Sequence, residues 1–169
     1  MSYLETPFGS KKSRLIFTRN LLIVVLVSLV TWYICLHIRV TLTPSLTKRV
    51  FWSAKDNRKD RPLRSGQYIT FKQFVPKPMN MVLTFIKRVG CAPGETLSTG
   101  NDYYYCDGKY LGRAKKKSLD GDPLPPFVFN GKIPPGMFFA VGDHPDSFDS
   151  RYIGLISRSR IEEVAWALL

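Results

Sequence analysis

Acidic residues are scarce in this chain, with 13 Asp and Glu against 25 Lys and Arg. Histidine appears only as His37 and His144, far apart in sequence, and cysteine only as Cys35, Cys91 and Cys106. No CxxC pair or His-Cys cluster offers metal-ligand spacing, so no metal centre is expected. No serine sits in a GxSxG elbow, which removes the main signature of an α/β-hydrolase and leaves a Ser-His-Asp arrangement through His144 without support. Outside one apolar run there is no sustained helical periodicity, which argues against a helical bundle. No internal repeat is present, so a solenoid is excluded.

What is present is a basic chain of 169 residues, sized for one modest domain beside a membrane segment. Lys11, Lys12, Arg14, Arg19 and Arg39 fall in the first forty residues with Glu5 as the only acid, and the remainder carries 20 basic and 12 acidic groups. A surplus of that size suits anionic lipid, nucleic acid or acidic partners but identifies none. The run Lys115-Lys116-Lys117 reads as a solvated loop.

From Leu21 to Val40 the chain reads LLIVVLVSLVTWYICLHIRV. A helix of that length spans roughly 30 Å, the thickness of a hydrocarbon core. Its first half has no polar stripe, and no small-x-small cleavage site follows, so a retained anchor is expected in preference to a core helix or a cleaved signal peptide. Trp32 and Tyr33 suit the distal interface, and Arg39 has the length to snorkel to headgroups. Basic residues flank the run on both sides, so the positive-inside rule favours a cytoplasmic N-terminus only weakly.

Beyond the anchor, Gln67 to Phe71 and Met81 to Ile86 are rich in β-branched and aromatic residues and bounded by Pro and Gly. Further strands are expected at Tyr103 to Tyr105, Phe127 to Phe129 and Met137 to Val141. Turns are expected at Asp107-Gly108, Asn130-Gly131 and Pro134-Pro135-Gly136. Pro123, Pro125 and Pro126 mark a loop. The expected class is mostly β: one antiparallel domain behind a single N-terminal transmembrane helix. Cys35 acts as a small hydrophobe inside the anchor. Cys91 and Cys106 are either bridged or free structural thiols, which spacing cannot separate.

Lys87 closes the apolar strand Met81 to Ile86, on the face shared by Leu83, Phe85 and Val89. Burial there destabilises the ammonium form and leaves an amine able to accept a proton; a strand-end lysine reaching solvent is the alternative. Ser45 lies just past the anchor in Thr41-Leu42-Thr43-Pro44-Ser45-Leu46-Thr47, which is either a nucleophile segment near the membrane or a plain polar loop. Thr43 and the Ser45 N–H have the chemistry of an oxyanion hole. The stretch Gly142 to Arg151, GDHPDSFDSR, is dense in turn-forming and hydrogen-bonding groups; Asp149 and Arg151 can pair there, and Ser147 can bond a neighbouring base.

In this order, Pro44-Ser45-Leu46, Ile86-Lys87-Arg88-Val89 with Pro93-Gly94-Glu95, and Gly142-Asp143 through Arg151 resemble the signal peptidase I family of serine-lysine peptidases. The stretch from His144 to Tyr152 looks especially like the TraF-type branch, which processes pilin precursors in conjugation. The resemblance implies Ser45 as nucleophile, Lys87 as general base, Thr43 with the Ser45 amide as oxyanion hole, Ser147 orienting Lys87, and Asp149 with Arg151 as a supporting ion pair. No cofactor is implied. It further implies a cytoplasmic segment 1–20, an anchor 21–40 and a periplasmic domain 41–169, single-pass in a bacterial inner membrane. The implied partners are the lipid bilayer and a membrane-inserted precursor such as a pilin, with no nucleic acid expected.

This sequence departs from the family pattern at Leu46, where Met is usual, at Thr47-Lys48, and at Gly90-Cys91-Ala92. Its last motif is one residue shorter than in housekeeping signal peptidases. The leading expectation is thus a pilin-processing endopeptidase that either hydrolyses its acyl-enzyme or passes the acyl group to the substrate's own amine, giving a cyclic product. A general leader peptidase is the second expectation. A non-enzymatic scaffold of a secretion or conjugation apparatus is the third.

Overall fold

A computed structural model describes residues 11–56, 61–75, 80–119 and 121–169. The first ten residues of the expected N-terminal segment lie outside the described ones. The chain divides into two units, Met1–Ile38 and Arg39–Leu169.

Helix α1 (Lys11–His37) forms the first unit. It starts ahead of the apolar run, buries none of its residues, and is long and apolar enough to cross a membrane. Two of its hydroxyls are satisfied internally: Thr18 donates to the Leu15 carbonyl at 2.9 Å and Ser28 to that of Val24 at 2.8 Å. The helix stops short of the predicted limit at Val40, because Ile38–Val40 form a short strand, β1. Arg39, expected at the headgroups, instead pairs with Glu163 at 2.9 Å.

The second unit is built from β2 (Val50–Lys55), β3 (Tyr68–Val75), β4 (Met81–Cys91), β5 (Thr96–Gly100), β6 (Tyr103–Cys106), β7 (Lys109–Arg113), β8 (Gly131–Lys132), β9 (Met137–Val141), β10 (Ile156–Ser157) and β11 (Ile161–Ala167). One short helix, α2 (Ser150–Ile153), follows β9. A seven-stranded sheet runs β1-β2-β11-β3-β4-β9-β10, and a four-stranded sheet runs β7-β6-β5-β8. The ladders from β2 onward are antiparallel. This is the expected class, a mostly antiparallel β protein with one N-terminal apolar helix.

The expected strand Phe127 to Phe129 does not form. It follows Pro125 and Pro126, and its N–H groups go elsewhere: Phe127 donates to the Arg151 carbonyl at 2.7 Å and Phe129 to the Thr99 hydroxyl at 3.3 Å. Both rings still pack on the core around Tyr104, Leu97 and Phe139. Partial burial of the two rings was legible in these residues, but a ladder partner was not.

Two features fix β4, which carries Lys87. At Gly90 the register with β9 slips, and a β-carbon there would lie 2.9 Å from a Val141 methyl, so only glycine allows this approach. One residue on, Cys91 is bonded to Cys106 at the end of β6, with Cα atoms 5.5 Å apart, tying the two sheets together. Glu95 Oε2 accepts from the Ala92 N–H at 2.7 Å and from the Ser65 hydroxyl beside that bridge.

Candidate active site

Strand alternation turns Lys87 inward with Val89, and its side chain is only 4% exposed. Its Nζ donates to the Ser147 hydroxyl at 2.7 Å and lies 5.3 Å from the centre of the Phe85 ring. Loss of hydration in this setting pushes the Lys87 pKa from 10.5 down to about 8; the negative charge of Asp149 opposes the fall and the positive charge of Arg151 adds to it. A measurable fraction is therefore a neutral amine near physiological pH.

Ser45 stands on the same cleft, of about 720 Å³, with Lys87, Ser147, Thr43 and Phe148. The turn carrying it is held from several sides. Leu46, 3% exposed, packs with Phe51 and Ala165, so this departure from the family pattern acts as an apolar peg. The Ser45 carbonyl accepts from the N–H groups of Asp143 at 2.8 Å and His144 at 3.3 Å. Asp143 also accepts from the Thr47 N–H at 3.1 Å and from Arg88 Nε at 3.3 Å. One carboxylate thus links the serine turn to the residue after Lys87. The Thr43 hydroxyl donates to the Ser45 hydroxyl at 3.4 Å.

Gly142 lies between the two halves of the site. A β-carbon there would stand 2.1 Å from Ser147 Oγ and 2.5 Å from the Ser45 carbonyl oxygen. Glycine is required by close approach, since both groups press on the same backbone atom.

Behind the cleft the loop is braced by a buried ion pair. Asp149 accepts from Arg151 Nε at 2.9 Å and Nη2 at 2.7 Å, and from the Gly142 N–H at 2.8 Å. Remaining guanidinium donors reach the carbonyls of Arg113, His144 and Ser147 at 2.9 to 3.2 Å. Both charges are therefore paired and hydrogen-bonded, the condition under which burial is tolerated. The bonds to the His144 and Ser147 carbonyls set the backbone that presents Ser147 to Lys87.

Ser45, Lys87, Thr43 and Ser147 thus converge on one cleft, with Asp149 and Arg151 beneath it. His144 reaches Ser45 through its backbone only; its imidazole Nδ1 accepts from the Asp146 N–H at 3.1 Å. Cys91 and Cys106 stand near Glu95 but spend their sulfurs on each other, leaving no thiolate for a metal. Sequence reasoning assigned no role to Gly142, Asp143, Leu46 or Phe148. All four lay within motifs already singled out, but the partners that give them their roles lie far away in sequence.

The arrangement can do nucleophilic chemistry: a hydroxyl on an externally pinned turn, a partly neutral buried amine, and a second hydroxyl orienting that amine. Lys87 bonds Ser147 in this state while Ser45 keeps its contact to Thr43, a separation common before substrate aligns the pair.

Residues 13–168 match the model of the family described as signal peptidase, peptidase S26. Among curated proteins, signal peptidase I of Bacillus caldolyticus is 36% identical over 88 residues, 46% of this chain and 48% of that protein. Signal peptidase I T of Bacillus subtilis (strain 168) is 38% identical over 90 residues, 46% of this chain and 44% of that protein. The chain spans about half the length of the curated relatives it matches. A crystal structure of a signal peptidase I from Enterococcus faecalis V583 is similar with a TM-score of 0.39 and 27% identity, covering 62% of this chain and 97% of that one.

Proposed function

The chain belongs to the signal peptidase family, and on that premise we propose that it is a membrane-anchored serine endopeptidase working through a Ser45–Lys87 dyad. The observation that carries this reading is Lys87 itself: a lysine 4% exposed, its amine bonded to Ser147 at 2.7 Å, on the same cleft as Ser45. In the proposed cycle Ser45 Oγ attacks the scissile carbonyl as its proton passes to Lys87 Nζ. That proton then goes to the leaving amine, and the acyl group stays on Ser45 as an ester. Water or a second amine attacks the ester, Lys87 takes the new proton, and the Ser45 hydroxyl is restored. Thr43 and the Ser45 N–H stabilise the oxyanion.

The substrate is an extended segment of a membrane-inserted precursor. Strand β4 is paired with β3 from Met81 to Arg88 but with β9 only from Arg88 to Cys91. This leaves the opposite edge of residues 81–87 without a ladder among the described strands, and Leu83 to Lys87 border the cleft. A peptide added along that edge gains backbone hydrogen bonds and lies against Ser45. In the same reading α1 is the single membrane span, with 1–20 cytoplasmic and 41–169 outside a bacterial inner membrane. Residues His144 to Tyr152, which resemble the TraF-type branch, favour a conjugative pilin as substrate, with cyclisation where the substrate's amine outcompetes water.

A second reading, a general leader peptidase, is favoured by the curated relatives, which are named signal peptidase I. Intact masses of small membrane proteins from cells carrying the native chain or Ser45→Ala test both. A pilin precursor that persists only in the variant supports the first reading, and a mature product one water lighter than its linear form adds cyclisation. A broad build-up of secreted precursors supports the second. Unchanged masses in Ser45→Ala and Lys87→Ala cells would point to a non-enzymatic scaffold.

A further inference from the structure

Strand alternation gives the four-stranded sheet β7-β6-β5-β8 two unlike faces. Leu97, Tyr104, Cys106 and Leu111 turn inward to the core. Tyr103, Tyr105 and Tyr110 turn outward, at 36%, 36% and 55% exposure. In the ladder Tyr105 stands opposite Tyr110, and Tyr103 opposite Arg113. The Tyr110 ring lies 5.6 Å from that of Tyr105 and 6.2 Å from that of Tyr103, while the Arg113 guanidinium sits over Tyr103 at 5.1 Å. Three rings and a cation are thus packed together on the solvent side of the sheet.

The platform is rigid. Both of its hairpins turn through two residues at positive φ, Asn101 and Asp102 after β5, then Asp107 and Gly108 after β6, the geometry that matches the twist of paired strands. Cys106, at the end of β6, is bonded to Cys91. Aromatic side chains held on such a frame lose little freedom when a partner covers them.

The chemistry of this face selects its partner. On its other half, Ser98 pairs with Tyr105 and Thr96 with Lys132. Exposed cations therefore stand at both margins, Arg113 on β7 and Lys132 on β8, with Lys109 at the start of β7. These outward positions carry no carboxylate. The acids at the adjoining turns are engaged: Asp107 accepts from the Thr96 N–H at 2.9 Å, and Asp102 lies 3.8 Å from Lys116. No long aliphatic side chain is present to enter hydrocarbon, as a membrane-lying surface requires. The Tyr110 ring is tilted by 46° and 53° to its neighbours, and Tyr103 is capped by Arg113, so no flat aromatic surface is offered to a sugar. A second copy of the chain would set cation against cation. Tyrosine and arginine among small polar residues is the composition of protein–protein hot spots. Strands about 4.8 Å apart and about five residues long make a face on the order of 250 Å², well under the roughly 800 Å² per partner of a stable complex. The contact is therefore transient.

We propose that the outward face of this sheet is a docking surface for an acidic segment of a second protein. Carboxylates of that segment meet Arg113 and Lys132, and their neighbours cover Tyr103, Tyr105 and Tyr110. The proposal does not rest on the peptidase reading above, because none of these side chains borders the cleft.

The test is photo-crosslinking of the full chain in cells that natively carry it, with p-benzoylphenylalanine replacing Tyr105 or Tyr110. The same group replacing Lys55, exposed on β2 of the other sheet, is the control. A protein adduct should form at both tyrosine positions and not at Lys55, and its cross-linked peptide should hold more Asp and Glu than Lys and Arg. Arg113→Glu with Lys132→Glu should cut the adduct at least about tenfold through like-charge repulsion, whereas Arg113→Lys with Lys132→Arg should keep it. If the charge-reversed chain does not fold, as its unfolding curve would show, Lys109→Glu with Lys132→Glu takes its place. The proposal is overturned by no adduct at either tyrosine, by an adduct to lipid or to a second copy, or by a neutral or basic cross-linked segment. An adduct that survives charge reversal overturns it equally.

Discussion

The Asp143 N–H donates to the Ser45 carbonyl at 2.8 Å, so the position of the serine is set by a loop almost a hundred residues later in the chain. The carboxylate of the same residue accepts from the Thr47 N–H and from Arg88 Nε. Serine turn, lysine strand and closing loop are thereby one hydrogen-bonded unit, whose centre is the bare α-carbon of Gly142.

Gly142→Ala should therefore separate Ser45 from Ser147. The new methyl would need to clear contacts of 2.1 and 2.5 Å, one of them to backbone, and overpacking of this kind costs about 1–3 kcal/mol. A displacement near 1 Å at a reacting group lowers turnover by on the order of 100-fold. Precursor-cleavage kinetics with an unfolding curve should show a large fall in kcat and a modest fall in stability. Native kcat in Gly142→Ala would mean the loop can retreat without moving either serine.

Activity should rise with pH through about 8, where burial has placed Lys87, because the neutral amine is the form that accepts the Ser45 proton. Lys87→Arg should be inactive across this range, since guanidinium does not deprotonate. A kcat/KM profile flat between pH 6 and 9, or turnover in Lys87→Arg, would remove Lys87 as the base.

Arg151→Met should unfold the loop locally and weaken the whole domain. It leaves the Asp149 carboxylate, 0% exposed, without its counter-charge, and breaking one side of such a pair costs about 3–5 kcal/mol. Arg151→Lys should recover little, because an ammonium cannot reach Asp149 and three carbonyls together. Denaturant unfolding of both variants measures this; a loss below about 1 kcal/mol in Arg151→Met would show that Asp149 finds another partner.

Which parts of this were legible beforehand follows from the range of the forces involved. Strand alternation alone put Lys87 on the inward face with Val89, because period-2 burial is local. The Asp149–Arg151 pair was legible because its members are two residues apart. Asp143 bonding Thr47 was not, since the partners are 96 positions apart and share no pattern. Phe127 and Phe129 showed the opposite limit: their hydrophobicity announced burial, but the partners of their N–H groups depended on where Arg151 and Thr99 came to lie. Ile161–Ala167, IEEVAWA, went unread as a strand although it pairs with both β2 and β3, because its charged pair Glu162-Glu163 masks the apolar alternation.

The same lysine that serves the proposed chemistry should cost stability, and the pH dependence gives the sign. With a pKa of 10.5 when unfolded and about 8 when folded, Lys87 is an ammonium in both states below pH 8. There the fold carries the full penalty of burying that charge, about 3 kcal/mol for a fall of this size. Above pH 10.5 the amine is neutral in both states and the penalty is gone. Between these limits the unfolded chain binds more protons, so native stability rises with pH. Lys87→Met removes the charge and leaves the Ser147 hydroxyl unpaired, which gives back about 1 kcal/mol. The inactive Lys87→Met chain should thus be more stable than the native one by about 2 kcal/mol at pH 7. That advantage should shrink as pH rises from 8 to 10.5 and be absent above it. Denaturant unfolding of the two chains at pH 7 and pH 10 decides the matter: a native chain that is the more stable at pH 7 would mean the Lys87 charge is well solvated where it stands.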